Sequence, residues 1–343
     1  MKTEKKFDRQ MLINLLDDKE QAQRYLDSVS LEGADLSCLN LTGYLFNRRC
    51  LKGANFTGSN LSFTVFSNAD LSNANLYQAV LREAVLRSAK LCYAELINAK
   101  MHSIILNGAD LRCAHFENAD LYKAKMMDTF LVGAVFRGSN LTEAVLCGAV
   151  MYEDFAGLKT DFTGARMKRT NLTDADMTDA IFEDTCLSEA NLTNAILENA
   201  DLTNANLKAA IMTGSCLRNA TMKNTNLSRA IGLPSQSDYM AEHFEKTGEG
   251  YIVYKSFSEY YDAPDDWDIK EGSVITETLN TNRTEMCGSG INAGNISWVT
   301  RYSYTRIYKL LIRWEWLADV IVPLNTDGQI RCGKALILGV ADL

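Results

Sequence analysis

The sequence predicts a mainly β protein in three parts: a helical segment over residues 1–30, a repeat of stacked coils over 31–232 and a small α+β domain over 233–343. Two observations lead to this division. A five-residue period runs from about Ala34 to Ile231, and the character of the sequence changes on either side of it. Internal repetition of that length takes precedence over helix and strand patterns when a fold is predicted.

A large apolar residue stands at every fifth position of the repeat. It is Leu, Phe or Met from Leu36 to Met151 and again from Phe162 to Leu227, which makes 24 quintets before the break and 14 after it. The residue two positions earlier is nearly always Ala, Ser or Thr. A period of five fits neither a helix nor a strand. We therefore predict a coil that turns a corner at each quintet, with Asn, Asp, Gly and Ser at the corners and with successive coils stacked at strand spacing.

The quintets ADLSC, ANFTG and ANLYQ follow the pattern A(D/N)LXX and resemble the pentapeptide-repeat family. The resemblance covers about 200 of the 343 residues. It implies a right-handed quadrilateral β-helix with four quintets in each coil, so the 38 quintets would form between nine and ten coils.

A short amphipathic helix is predicted before the repeat. Within residues 7–28, apolar side chains recur near helical spacing at Phe7, Met11, Leu15, Ala22 and Leu26. The open edge of a β-helix pairs with other chains unless it is covered. We interpret the helix as a cap on that edge, and the alternative is a helix that binds a partner.

The period is interrupted at residues 152–161, YEDFAGLKTD, where the frame slips by one residue. We interpret the slip as a bulge with one extra residue. In the gyrase-protecting members of the resembled family, longer projecting loops carry the activity and a C-terminal helix forms the dimer. Neither feature is predicted here, which leaves a gyrase-binding DNA mimic as a weaker alternative function.

The C-terminal domain is predicted to begin after GLPSQSD, residues 232–238. Five runs have strand character, and SWVTRYS (297–303) is predicted as a helix with Asn295 or Ser297 as its N-cap. The predicted strands are 251–257, 273–279, 308–316, 319–324 and 334–340. About 105 residues are enough for a small core.

The string CGSGINAG, residues 287–294, is the best candidate for chemistry in this domain. Its glycines permit a tight turn before a helix N-terminus, where anions and thiolates are stabilised. Three interpretations stay open: a structural turn with a buried cysteine, an anion pocket, or a catalytic pair of Cys287 with His243. The string and QIRCGKALILGV together resemble an uncharacterised domain of bacterial and phage pentapeptide proteins, in which His often stands at the position of Asn292. That resemblance implies no activity.

Composition narrows the function further. The formal net charge of -8 makes direct nucleic-acid binding unexpected. Nine cysteines without a CxxC motif indicate reduced thiols, and the absence of an apolar run of 18 residues predicts a cytoplasmic protein without a membrane span. Delivery into a host cell without a cleavable signal would leave no mark in such a sequence. No cofactor or metal motif is present, so neither is predicted.

One face of the coils is predicted to bind a protein partner. Five of the six outward residues in one column are aliphatic, in the series Leu45, Val65, Val85, Ile105, Lys125 and Val145. Basic residues are expected on its flanks and continuation, among them Arg87, Arg166 and Lys168. The competing interpretation is that β-branched residues simply favour strands. We therefore predict a non-enzymatic interaction scaffold of bacterial or phage type, with a cysteine-dependent enzyme positioned by the β-helix as the alternative.

Overall fold

The computed structural model describes residues 6–152, 157–233, 236–257, 264, 267–277, 290–302, 306–323, 326 and 328–341. The chain divides into two compact units. The first contains Met1–Cys216 and Asn224–Gly232, and the second contains Leu217–Lys223 and Leu233–Leu343.

The N-terminal segment forms two helices, α1 over Arg9–Leu15 and α2 over Lys19–Ser28, so the prediction of one helix is wrong. The reason is a second capping residue. Asp18 Oδ1 accepts hydrogen bonds from the backbone N–H groups of Glu20 and Gln21, both at 3.1 Å. An aspartate that caps the N-terminus in this way begins a new helix instead of continuing the old one.

The repeat forms stacked coils in which the backbone pairs in parallel with residues 20 positions away, as in Leu45 with Val65 and Val65 with Val85. A register of 20 residues corresponds to four quintets per coil. We name the four faces A, B, C and D by the outward residues of the first coil, which are Asp35, Asn40, Leu45 and Cys50. In later coils the N–H of an outward residue donates to the coil before it, and its carbonyl accepts from that same coil, which satisfies the backbone without long strands.

The coil interior contains the large apolar residue and the small residue of each quintet. From Leu36 to Met222, every large residue in the predicted frame is at most 4% exposed. Identical positions lie above one another, so four phenylalanines of face A stack with ring centroids 4.6 to 5.0 Å apart. They are Phe116, Phe136, Phe162 and Phe182. Each fully buried Leu or Phe contributes about 1.5–3 kcal/mol to stability.

Each corner is a β-turn closed by the buried residue. The Leu51 carbonyl accepts from the Ala54 N–H at 3.0 Å, and Gly53, the second of the two residues between them, has a φ of 62°. Asn, Asp and Gly tolerate this left-handed conformation best, which explains their frequency two positions after the buried residue. The Asn or Asp before the buried residue has another role: Asp161 Oδ1 accepts from the N–H and the hydroxyl of Thr163.

The interruption is larger than the sequence suggested. Across it Val135 pairs with Asp161 and Val150 with Asp176, 26 positions apart instead of 20. The prediction of one extra residue is therefore wrong, because six residues are inserted, and six equals one quintet plus one. The Thr160 hydroxyl closes the coil by donating to the Leu131 carbonyl at 2.8 Å. Residues 153–156 of the insertion lie outside the described residues.

Side chains from both helices bond the backbone edge of the first coil. Arg9 donates to the carbonyls of Asp35 and Ser37 at 2.9 and 2.7 Å. Gln23 bonds both the carbonyl and the N–H of Leu45, at 2.8 and 2.9 Å. In later coils the equivalent groups bond the neighbouring coil, so these side chains take the place of a preceding coil.

The second unit is an antiparallel sheet of eight strands, named β1 to β8 along the chain. Seven strands follow the order β3-β8-β5-β2-β4-β7-β6, and β1 pairs with β2. The elements are α3 Gln236–His243, β1 Glu245–Lys246, β2 Gly250–Ser256, β3 Val274–Thr276, β4 Ile291–Gly294, α4 Ile296–Tyr302, β5 Ile307–Arg313, a 3-10 helix Trp314–Asp319, β6 Val320–Ile321, β7 Gln329–Cys332 and β8 Lys334–Val340. The apolar core packs around Val253, Leu310 and Ile312.

Several boundaries in this unit differ from those predicted. The strand expected over 308–316 ends at Arg313, and a 3-10 helix follows. Two strands were missed, because β4 and β7 are four residues long and contain polar residues and glycine. The turn expected at 287–294 is a strand from Ile291 onward, while Cys287 lies outside the described residues. Asn295 is the cap of α4, since its Oδ1 accepts from the Trp298 N–H at 2.8 Å.

Candidate interaction surface

The predicted column is continuous on face C. Consecutive parallel bridges join its six residues in one row, in the order Leu45, Val65, Val85, Ile105, Lys125, Val145. We call these six residues the stripe. Leu45 is 50% exposed, whereas the four β-branched residues are only half-buried because each is partly covered by its neighbours above and below. The stripe is therefore an accessible but shallow apolar surface.

Beyond the insertion the stripe does not continue as expected. Face C goes on through Asn171 and Asn191, and the predicted Arg166 bridges Asn140 and Cys186 on face B. The six-residue insertion shifts the register, so counting by 20 from Leu146 reaches the wrong face. The prediction that Arg166 flanks or continues the stripe is therefore wrong.

The other predicted cations differ in their surroundings. Lys168 lies at the corner between faces B and C, where its Nζ is 3.0 Å from Glu189 Oε1. Arg169 Nε is 2.7 Å from the other oxygen of the same carboxylate. Arg87 is exposed at the corner that follows Val85. Of these cations, only Arg87 lies beside the stripe without a carboxylate partner among the described residues.

Sequence reasoning missed Phe63, which extends the apolar surface. Phe63 lies at the corner before Val65, is 55% exposed and has a φ of 59°. A bulky aromatic residue is rare in this left-handed conformation, and such outliers cluster at functional sites. The signal was readable, because phenylalanine occupies a corner position at which most quintets have Gly, Asn or Asp.

The stripe is bordered by more positive than negative charge. Over residues 42–148, all of which the structure describes, face C and the two positions after the buried residue at each of its corners contain five cations and three carboxylates. Lys123 pairs with Glu143 at 3.6 Å. The remaining charged residues are Arg48, Arg82, Arg87 and Lys125 against Glu83 and Asp128, and all six are exposed.

Aspartates elsewhere on the coils are held ionised by local hydrogen bonds. The Ser37 hydroxyl is the main cause of the lowered pKa of Asp35. Burial raises the pKa of Asp161, but hydrogen bonds from Thr163 and the guanidinium of Arg137, 2.6 Å away, outweigh it and hold the pKa below its usual value. These carboxylates stabilise corners and are not arranged as acids or bases for catalysis.

The catalytic pair considered from the sequence stays a prediction, because Cys287 lies outside the described residues. His243 ends α3, where its Nδ1 is 3.1 Å from the Tyr239 carbonyl and its ring stacks on Tyr239. Burial raises the pKa of Cys332 to about 12 and that of Cys92 to about 11. Neither thiol is an effective nucleophile at neutral pH, because the thiolate is the reactive form.

A second feature that sequence reasoning missed is a set of buried polar groups between β2, β4 and β7. Gln329 is 1% exposed and donates from Nε2 to Asn292 Oδ1 at 3.2 Å. Lys255 Nζ donates to the Asn292 carbonyl at 3.0 Å, and burial lowers the pKa of Lys255. Arg331, opposite Asn292 in the sheet, is fully buried. These groups connect three strands that are far apart in the sequence.

Metal and membrane sites were also searched for. Across the described ranges, no group of His, Cys, Asp and Glu is placed to hold a metal ion. None of the helices in the described part of the chain is long and apolar enough to cross a membrane.

Comparison with known proteins identifies the repeat. Eight copies of the family model for pentapeptide repeats match the chain, within residues 50–153 and 159–224. No curated protein matches the chain in sequence.

Several solved structures are similar to the repeat. HetL, a pentapeptide repeat protein involved in heterocyst differentiation regulation from the cyanobacterium Nostoc sp. strain PCC 7120, is 25% identical over 61% of this chain and 94% of its own, with a TM-score of 0.28. A trypsin-treated variant of QnrB1, a plasmid-mediated fluoroquinolone resistance protein, is 17% identical over 57% of this chain and 83% of its own, with a TM-score of 0.36. A pentapeptide repeat protein from the Arabidopsis thaliana thylakoid lumen is 23% identical over 46% and 72%, with a TM-score of 0.15.

Proposed function

We propose that this chain, whose repeat region belongs to the pentapeptide-repeat family, is a non-enzymatic scaffold that binds a protein partner through face C. The observation that carries the proposal is the stripe, an unbroken apolar row between corners with unpaired cations. Contiguous exposed apolar surface with a polar rim is typical of protein interaction sites.

We also propose that the coils are right-handed and four-sided and that α1 and α2 cap the first coil. The 20-residue register supports four sides, and the bonds from Arg9 and Gln23 to the coil edge support the cap. A capped edge is protected from pairing with other chains, which leaves the faces as the surfaces for recognition.

The stripe suits recognition because its backbone is held in place by hydrogen bonds between coils. The Val85 N–H donates to the Thr64 carbonyl at 2.9 Å, and the Val85 carbonyl accepts from the Phe66 N–H at 2.7 Å. A surface on such a fixed backbone loses little further freedom when a partner binds, and this lowers the entropic cost of association. Leu45 and Phe63 are the most exposed anchors, and a few large side chains dominate most interfaces.

The cysteine-dependent enzyme, the gyrase-binding DNA mimic, the bacterial or phage origin and the cytoplasmic location stay predictions from the sequence.

The proposal is tested by placing a photo-crosslinking amino acid at position 85, with position 100 on face B as the matched control. We expect position 85 to form a covalent adduct with a defined protein in cells and position 100 not to form it. The double substitution Val85→Asp and Ile105→Asp should abolish binding of that purified protein while the circular dichroism spectrum is unchanged. Wild-type binding by the folded double variant would overturn the proposal.

A further inference from the structure

We infer that the stripe binds an acidic amphipathic α-helix of the partner, lying along the axis of the coils. This inference rests on the proposed function and adds the shape and charge of what binds. Two observations carry it: the spacing of the stripe residues and the excess of cations around them.

The spacing favours a helix over an extended strand. Stripe residues follow one another at the separation of paired strands, about 4.8 Å. Side chains on one face of an α-helix recur every three or four residues, at a rise of about 4.5–6 Å. Side chains on one face of an extended strand recur at about 6.6–6.8 Å. Helix side chains can therefore meet successive stripe residues, whereas strand side chains lose register after the second.

The length of the apolar surface also matches a helix. From Leu45 to Lys125 the stripe has five residues and four intervals, or about 19 Å at strand spacing. A helix rises about 1.5 Å per residue, so about 13 residues cover that length. This is an ordinary helix length in globular proteins.

The charges predict the sign of the partner. The chain has a formal net charge of -8, yet the stripe and its corners have two more exposed cations than carboxylates once the Lys123–Glu143 pair is set aside. Arg82 and Arg87 lie on opposite sides of Val85, so they can contact both flanks of one helix. Carboxylates on those flanks would speed association and fix the orientation of the helix.

The test uses a fluorescent designed peptide of about 14 residues, held helical by a side-chain lactam, with leucines on one face and glutamates on its flanks. It is titrated onto the full chain and followed by anisotropy. Three peptides are compared with it: one with lysines for the glutamates, one with the same composition in scrambled order, and one with prolines that prevent the helix. We expect saturable binding of the glutamate helix alone, weakening as salt is raised.

Two charge-reversed variants locate the site. Lys125→Glu together with Arg87→Glu should weaken binding by about tenfold or more, whereas Lys100→Glu, an equivalent outward position on face B, should leave it within about twofold of wild type. Unchanged binding by the first variant, or equal binding of the lysine, scrambled or proline peptide, would overturn the inference. The same holds for no binding of the glutamate helix, or for tighter binding of a DNA duplex.

The crosslinking experiment separates this inference from the proposed function. If the segment captured at position 85 is an extended or basic segment, or belongs to a second copy of this chain, the scaffold stands and the acidic helix is wrong. If position 85 captures nothing, the proposed function fails as well.

Discussion

The coils and the C-terminal sheet solve the pairing of backbone groups in opposite ways. In the coils, partners are always one register apart, 20 residues or 26 across the insertion. In the sheet, partner spacing is irregular: Gly250 pairs with Arg313 and Tyr254 pairs with both Gly294 and Lys309. In the coils a residue's environment follows from its place in the quintet, whereas in the sheet it depends on neighbours particular to that residue.

The strongest test of this contrast replaces equivalent core residues. Leu86→Ala and Leu106→Ala occupy the same row of face C and are both fully buried. We expect each to lower the free energy of unfolding by about 2–5 kcal/mol and the two values to agree closely. The measurement is chemical denaturation followed by circular dichroism.

The control for that experiment is Ile105→Ala, which shortens a half-buried outward residue. Its cost should be clearly smaller than that of Leu106→Ala. In the sheet, Ile312→Ala and Ile330→Ala remove equally buried side chains but have no reason to agree. Equal costs in the sheet and unequal costs in the coils would reverse the contrast.

A smaller effect is expected where the regular register breaks. Thr160→Val keeps the shape of a fully buried residue but removes the hydroxyl that donates to the carbonyls of Leu131 and Met151. We expect a loss of about 1–3 kcal/mol, since a buried carbonyl loses its partner. Thr142→Val, at a half-buried corner, is the control. Equal melting temperatures for the two variants would mean that Thr160 does not close the coil.

The first coil gives the next effect in size. Gln23→Ala removes both hydrogen bonds to the Leu45 backbone. We expect a loss of about 1–2 kcal/mol and faster hydrogen exchange at the Leu45 amide, because each net hydrogen bond contributes about 0.5–1.5 kcal/mol. Gln10→Ala removes only a bond to Asn14 within the helical segment, so exchange at Leu45 should not change in that variant.

The smallest effect is a change in pH dependence. The folded-state pKa of Asp161 is lowered, and its unfolded value is about 3.9. Its contribution to stability is therefore fully present above about pH 4 and is lost as the pH falls through the folded pKa. Asp161→Asn should flatten the melting temperature between about pH 4 and 2, and Arg137→Gln should produce part of that change. A wild-type profile for Asp161→Asn would contradict the assignment.

The interior of the coils could be predicted almost completely, since one residue in five is enough to mark it. The interaction surface could be predicted only in part. The row from Leu45 to Val145 followed from counting by 20, but Arg166 was misplaced because a six-residue insertion and a one-residue slip leave the same frame in a period of five. Phe63 was missed because the corner positions were read for their composition and not for their exceptions.

The sequence alone determined the repeat, because its period is local and every quintet has the same requirement for one buried side chain and one turn. Tertiary structure alone decided three other features. It set the size of the insertion through the pairing of Val135 with Asp161. It set how much of the stripe is covered by its neighbours, and it brought Lys255, Asn292 and Gln329 together in the sheet. Each depends on contacts between residues distant in the chain, and no local pattern encodes those contacts.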